Sequence, residues 1–400
     1  MKKLLFFLLF FISIVNSFSQ INAVKTTKSL DSLYQSSQFP GFAVAMVDEK
    51  GIKYINTFGY SDIKNKIRYN TTSVQNIASI SKTFIGVAIM KCVDLGYFNL
   101  ETNINTILPF SVINPNFKTD TIKIKHLVTH TSGIIDNEEV YSKSFYTNKY
   151  SDKESQLYKR FIKLATISGR DDKVLSVFLN NYFTENGSYY KTTNFSPRPL
   201  GTEYNYSNIA SALAAYLVEI KSGMSFDLFC KKYIFEPLKM TTTSFTFTDE
   251  IAQKHVKIYN YKNQFYPLYS EITYPDGSLK TTIEDLSLYL VEMIKGYNGN
   301  STLLSSQSFK TLFEKQFSDE NLPTNNDQKE PNSGVFWRYR KNGLIGHTGG
   351  DIGVSTFMFF NPKTSTGRIF LTNTEFDNPF NRKNNTKLIE EFISIWKILE

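Results

Sequence analysis

The apolar positions along the chain divide it into recognisable pieces. Lys2 and Lys3 precede an unbroken apolar run, LLFFLLFFISIV, with small residues after it at Ser17 and Ser19. A basic start and an apolar stretch too short to span a bilayer predict a secretory signal over residues 1–19, cut near Ser19/Gln20. KTTKSLDSLYQSSQ then has the spacing of an amphipathic helix, and GFAVAMVDEKGIKYINTFGYSD alternates on either side of Glu49-Lys50-Gly51, as a β-hairpin does. A helix from Ser79 follows, with Ile80, Phe84, Val87, Ala88 and Cys92 spaced for one buried face. From there to about residue 245 the signals are helical. Residues 137–200 are an exception, rich in Lys, Tyr, Ser and Asn with little periodicity; they predict a surface excursion and a candidate lid. Late in the chain VFWRYRKNGLIGHTGG, STFMFFNP and RIFLTNTE are strand-like, and NTKLIEEFISIWKILE closes as a helix.

Strands at both ends with helices between predict an α+β fold, an α/β sandwich. An antiparallel sheet is built from both chain ends and flanked by helices, with an all-helical subdomain inserted. No linker or repeat divides the chain, so residues 20–400 are expected to form a single catalytic domain. Its sheet part is placed at about 20–75 and 270–400, and its helical part at about 76–269.

Composition narrows the classes. With 41% hydrophobic and 20% charged residues, the chain is not a mainly disordered one. Its formal net charge of +8 is spread over scattered lysines, without a nucleic-acid motif, so no nucleic-acid partner is expected. No later stretch is long and apolar enough for a membrane span, and the mature protein is expected to be periplasmic or secreted. Its 2 cysteines, Cys92 and Cys230, sit in helix-like apolar patterns and are expected to be buried free thiols.

Candidate chemistry begins at Ser79-x-x-Lys82. The spacing alone is weak, since Ser61/Lys64, Ser188/Lys191 and Ser394/Lys397 share it. Only Ser79 opens a strongly apolar helix, where positions i and i+3 share a face. Helix capping would explain a serine there; so would a nucleophile with its base. On the second reading, desolvation and the positive helix end are expected to lower the Lys82 pKa. Tyr206-Ser-Asn208 lies before another helix, and His347-Thr348-Gly349-Gly350 ends a strand-like run. His126 and His130 are spaced i,i+4, but no H-E-x-x-H glutamate or third ligand accompanies them, so no metal and no cofactor is expected. Ser132 lacks a G-x-S-x-G elbow.

S-x-x-K, Y-x-N and H-T-G in this order resemble the serine β-lactamase and penicillin-binding-protein superfamily, in its class C β-lactamase-related branch of carboxypeptidases, esterases and aminopeptidases. "IKHLVTHTSGI", "GTEYNYSN", "IFEPLKM", "DGSLKTTIEDLSLYL" and "GHTGG" are close to that family's usual wording, and the likeness runs from about Gly41 to Asn373. The resemblance implies that Ser79 is the acylated nucleophile, Lys82 its partner and Tyr206 the proton shuttle. It implies that Asn208, His347, Thr348 and Gly349 bind substrate, and that the backbone amides of Ser79 and Gly350 form the oxyanion hole. It places His130 in a structural turn.

The third motif begins with His347 where the family commonly has lysine, which weakens a β-lactamase reading more than it weakens hydrolysis. Asp351, beside the glycines, would repel an anionic substrate end or attract an amine if it faced the cleft; as a solvated loop carboxylate it would do neither. The expected partner is a small-molecule or peptide substrate, with peptidoglycan a candidate source. D-alanyl peptides rank first, a small ester next and a β-lactam third. A non-catalytic penicillin-binding-like receptor is the rival from another class.

Overall fold

The computed structural model describes residues 23–164, 174–318, 320–376 and 385–400. The expected signal over residues 1–19 lies outside them.

The early hairpin forms as its alternation predicts. Strand β1 (Gly41–Asp48) pairs antiparallel with β2 (Gly51–Asp62), Val44 opposite Asn56. The short β3 (Ile67–Arg68) pairs with β2. Two small two-stranded sheets join distant segments: β4 (Gln75–Asn76) with β7 (Lys280–Thr281), and β5 (Phe145–Thr147) with β6 (Tyr269–Glu271). The late strands are β8 (Asn332–Ser333), β9 (Arg338–Tyr339), β10 (Ile345–Asp351), β11 (Val354–Asn361) and β12 (Thr366–Thr372). The main sheet has 8 strands in the order β3-β2-β1-β12-β11-β10-β9-β8, antiparallel throughout. Its two halves meet where β1 pairs with β12, Val44 opposite Phe370.

Both faces of the sheet are covered, so successive residues enter different cores. Phe42 and Val44 of β1, Phe359 of β11 and Phe370 of β12 pack on one side with Leu30, Leu388, Phe392 and Trp396, from the helices at residues 23–36 and Thr386–Ile398. Phe357 stacks on Phe392 with ring centroids 4.0 Å apart. Ala43, Ala45, Ile345, Met358, Ile369 and Leu371 face the other side, toward the helix Ile283–Tyr297 and the rest of the helical elements.

Two segments depart from the expected pattern. The helix Ser81–Asp94 is buried all round from Ser81 to Met90, not on one face, because it runs between the sheet and the helix Asn208–Ser222. Residues 137–200 are no surface appendage over their described length. Val140, Phe161, Phe178, Leu179, Tyr182 and Phe195 join the main core. They enter it from short helices and turns, Phe178, Leu179 and Tyr182 together from the nine-residue helix Leu175–Phe183, so no long period announces them. Cys92 and Cys230 are buried and unpaired, as expected.

Candidate active site

Between Ser73 and Met90 every residue is buried except Ser79, which is partly exposed. It stands in a single 3₁₀ turn, Ala78–Ile80, just ahead of the helix Ser81–Asp94. Ala78 carries a positive φ of 48°, a conformation that a non-glycine residue holds only when its surroundings impose it. Those surroundings are specific. Thr356 Oγ1 donates to the Ile77 carbonyl at 2.8 Å, Ser81 Oγ donates to the Ala78 carbonyl at 2.6 Å, and Leu279 N donates to Ser81 Oγ at 3.2 Å. Gly349 on β10 lies so close that a Cβ there would stand 2.4 Å from the Ile77 carbonyl oxygen and 2.3 Å from Thr356 Oγ1. The glycine is what lets the strand press against the turn that carries Ser79.

Lys82 is fully buried and its ammonium is aimed at the same point. Nζ donates to Ser79 Oγ at 3.1 Å, to Asn208 Oδ1 at 2.7 Å and to the Asp276 carbonyl at 2.7 Å. Three acceptors use all three hydrogens of an ammonium, whereas a neutral amine has two. Burial opposes that charge, but the neighbouring Tyr206, Asp276 and Asp136 outweigh it and hold the Lys82 pKa above the ordinary lysine value. This reverses the expected direction: desolvation was legible in the apolar helix, the partners were not.

Tyr206 is half-exposed, and Lys82 Nζ lies 5.1 Å from its ring centroid. Its loop is held by two devices. The buried His130, at a positive φ of 57° in the His-Thr-Ser-Gly turn, accepts from Ser207 N at 3.2 Å through Nδ1, and its ring lies 4.5 Å from that of Tyr206. Asp136 accepts from Ser207 Oγ at 2.6 Å, Asn208 N at 2.7 Å and Ile209 N at 3.1 Å, so one carboxylate serves the free N–H groups at the start of the helix Asn208–Ser222.

His347 and Gly349 face the helical side of the sheet, as Ile345 does. The His347 ring is buried 6.3 Å from that of Tyr206, and its Nδ1 is 2.5 Å from the Thr348 carbonyl. A carbonyl can only accept, so Nδ1 carries the proton and Nε2 is a bare acceptor; no donor among the described residues meets it. Burial pushes its pKa down to about 3, with Lys82 and Arg338 adding to the depression against the Thr348 hydrogen bond. The position therefore supplies no positive charge. Thr348 is partly exposed and Gly350 is open to solvent.

Of the other matches to the serine–lysine spacing, Ser61 donates to carbonyls at the end of β3 and Ser394 to its own helix. His126 accepts from Lys123 N at 3.0 Å. Among the described residues, no cluster of three or more His, Cys, Asp or Glu could hold a metal ion. Asp136 and Asp276 escaped the sequence reading: Asp276 touches Lys82 through its carbonyl, which no side-chain motif records.

Comparison with known proteins finds relatives of this chain. The chain is 26% identical over 368 residues to "Penicillin-binding protein 4*" of Bacillus subtilis (strain 168), covering 88% of this chain and 71% of that protein. It is 24% identical over 353 residues to "Protein flp" of Staphylococcus aureus (strain N315), covering 86% of this chain. The matched chain spans 62% of the length of the latter. The solved octameric penicillin-binding protein homologue from Pyrococcus abyssi superposes with a TM-score of 0.67 over 97% of this chain and 76% of its own, at 18% identity, and so shares the fold. The Beta-lactamase family model matches residues 26–391, most of the chain, and the chain belongs to that family.

Proposed function

We propose that the protein is an exported serine hydrolase working through an acyl-enzyme on Ser79, with a small peptide or ester as substrate and D-alanyl peptides of the cell wall as the first candidates. The observation that carries this reading is the partly exposed Ser79 Oγ, 3.1 Å from a buried lysine ammonium, in an otherwise buried turn. Lys82 as an ammonium cannot take a proton. It lowers the charge cost of a Ser79 oxygen losing one, and Tyr206 relays that proton to the leaving atom. Ser79 Oγ bonds to the acyl carbon as the bond to the leaving group breaks; water then reverses the sequence to free the acid. The amides of Ser79 and Gly350 are the oxyanion donors in this scheme. A neutral His347 gives little hold on a substrate carboxylate, which keeps β-lactams below peptides and esters.

The test is turnover of p-nitrophenyl acetate together with labelling by a fluorophosphonate, the adduct being mapped by peptide digest. We expect a single adduct on Ser79 and loss of both signals in Ser79→Ala. Tyr206→Phe should slow turnover by about a hundredfold or more. A folded protein with neither turnover nor adduct would favour the receptor reading instead.

A further inference from the structure

Past Ser79 the cleft wall meets a set of polar side chains that hydrolysis, as described, does not use. Asp351 ends β10 directly after Gly350 and is partly exposed; Ile352 N donates to its Oδ1 at 2.7 Å. It is not a solvated loop carboxylate. It shares the strand face of His347 and Gly349, toward the helical side. Glu271, at the end of β6, is its close polar neighbour and is only 3% exposed. No hydrogen-bond donor among the described residues reaches either Glu271 carboxylate oxygen. Gly277 lies beside that carboxylate, where a Cβ would stand 3.4 Å from Glu271 Oε2, at ordinary contact distance. Asp276 Oδ1 accepts from the Tyr141 hydroxyl at 2.9 Å, while Asp276 Oδ2 and the buried Ser278 hydroxyl have no partner among the described residues.

Cations are near, yet engaged elsewhere. Lys280 Nζ donates to the Phe245 carbonyl at 3.0 Å and the Ser278 carbonyl at 2.7 Å, and Lys82 spends its hydrogens as described. Burial, followed by the charges of Asp351 and Asp276, pushes the Glu271 pKa well above the carboxylate range. Buried acceptors without donors are costly, and a ligand bringing several N–H groups and a positive charge would relieve them.

We propose that Asp351, backed by Glu271, is a subsite for the α-ammonium group of the acyl half of the substrate, so that the acyl donor is an aminoacyl compound with a free amine. This rests on Ser79 being the nucleophile, because that assigns the two halves of the cleft. Tyr206, the relay to the leaving atom, stands at the His347 end of β10. Asp351 lies four strand positions further on, roughly 13 Å away, on the acyl side. An α-nitrogen is two bonds from the acyl carbon. Consecutive Cα atoms are about 3.8 Å apart, so a residue adjoining the Gly350 amide is within reach of that nitrogen.

The subsite can be read without chemistry. Ser79→Ala protein is titrated calorimetrically with alaninamide and N-acetylalaninamide, each as both enantiomers. We expect the free amine of one enantiomer to bind about tenfold or more tightly than its acetylated form, and that preference to fall to about twofold or less on adding Asp351→Asn. Glu271→Gln, nearly isosteric, serves as the second variant should Asp351→Asn fail to melt cooperatively, and should also erode the preference. Equal binding of the two amides, no binding by either, or a preference untouched in both variants overturns the proposal. Ser79 labelling in the wild-type protein is scored separately, so failure of the hydrolase reading and failure of the ammonium subsite give different results.

Discussion

Lys82 donates to the main-chain carbonyl of Asp276, a residue 194 positions away in sequence, at 2.7 Å. Together with Asn208 this fixes the ammonium at Ser79 without a side-chain carboxylate in direct contact. Lys82→Ala should therefore do more than remove a charge, since Asn208 Oδ1 and the Asp276 carbonyl lose their donor. The rate of Ser79 labelling is expected to fall by about 10² to 10⁴-fold. A rate within tenfold of wild type would show that the lysine is structural.

Asp136 is a positioning residue for the Tyr206 loop. Its three hydrogen bonds reach Ser207, Asn208 and Ile209, and neither Ser79 nor the Tyr206 side chain. Asp136→Ala should lower stability by about 1–3 kcal/mol and also reduce kcat on p-nitrophenyl acetate. Asp136→Asn, which keeps acceptor capacity on one oxygen, should recover part of both. A stability loss with kcat unchanged would limit Asp136 to helix capping.

Gly349→Ala would place a methyl group 2.4 Å from the Ile77 carbonyl oxygen. Backbone has to move, and the backbone concerned carries Ser79. A destabilisation of about 1–3 kcal/mol is expected in denaturant unfolding, with labelling of Ser79 reduced further than the stability loss explains. The neighbouring Gly350 has open space around its Cβ position, so Gly350→Ala should be far milder in stability.

His126 tests the acid side of the stability profile away from the cleft. Burial, reinforced by the charges of Lys125 and Lys123, lowers its pKa to about 4, while an unfolded histidine titrates near 6.5. Between those values the unfolded chain binds a proton that the folded chain refuses, so this group's contribution falls as pH drops from about 6.5 toward 4. His126→Asn keeps an acceptor for Lys123 N and removes the titration. The melting temperature of the wild type is expected to drop more than that of the variant between pH 7.5 and pH 4.5; equal drops would sink the assignment.

Much of the site was legible because its side chains act through types with fixed chemistry. Serine before an apolar helix, a lysine one turn on, and the Tyr206 and Asn208 of the second motif meet as the family resemblance implies. Likewise, the strand-like runs on either side of the turn at Glu49-Lys50 disclosed the hairpin. What stayed hidden depends on contacts between distant segments. The Lys82 pKa moves upward because of Tyr206, Asp276 and Asp136, and nothing in residues 76–90 reports their approach. Asp351 read as a loop residue because two glycines precede it; pairing of Gly350 with Ser355 and of Asp351 with Val354 keeps that stretch in the strand. Residues 137–200 lacked a long period because the elements that anchor there are short.

The pairing of β1 with β12 sets the order in which this molecule can assemble. Phe42 meets Thr372 across 330 residues of chain, and β12 lies between β1 and β11, the neighbour of β10. The wall that presses on Ser79 thus has no support until the last strand is made. A chain dominated by such distant pairings folds slowly and late. Synthesis and any passage through a membrane would then precede assembly of the site around Ser79, and a chain cut short before Thr366 should carry Ser79, Lys82, Tyr206 and Asn208 and yet show no labelling of Ser79.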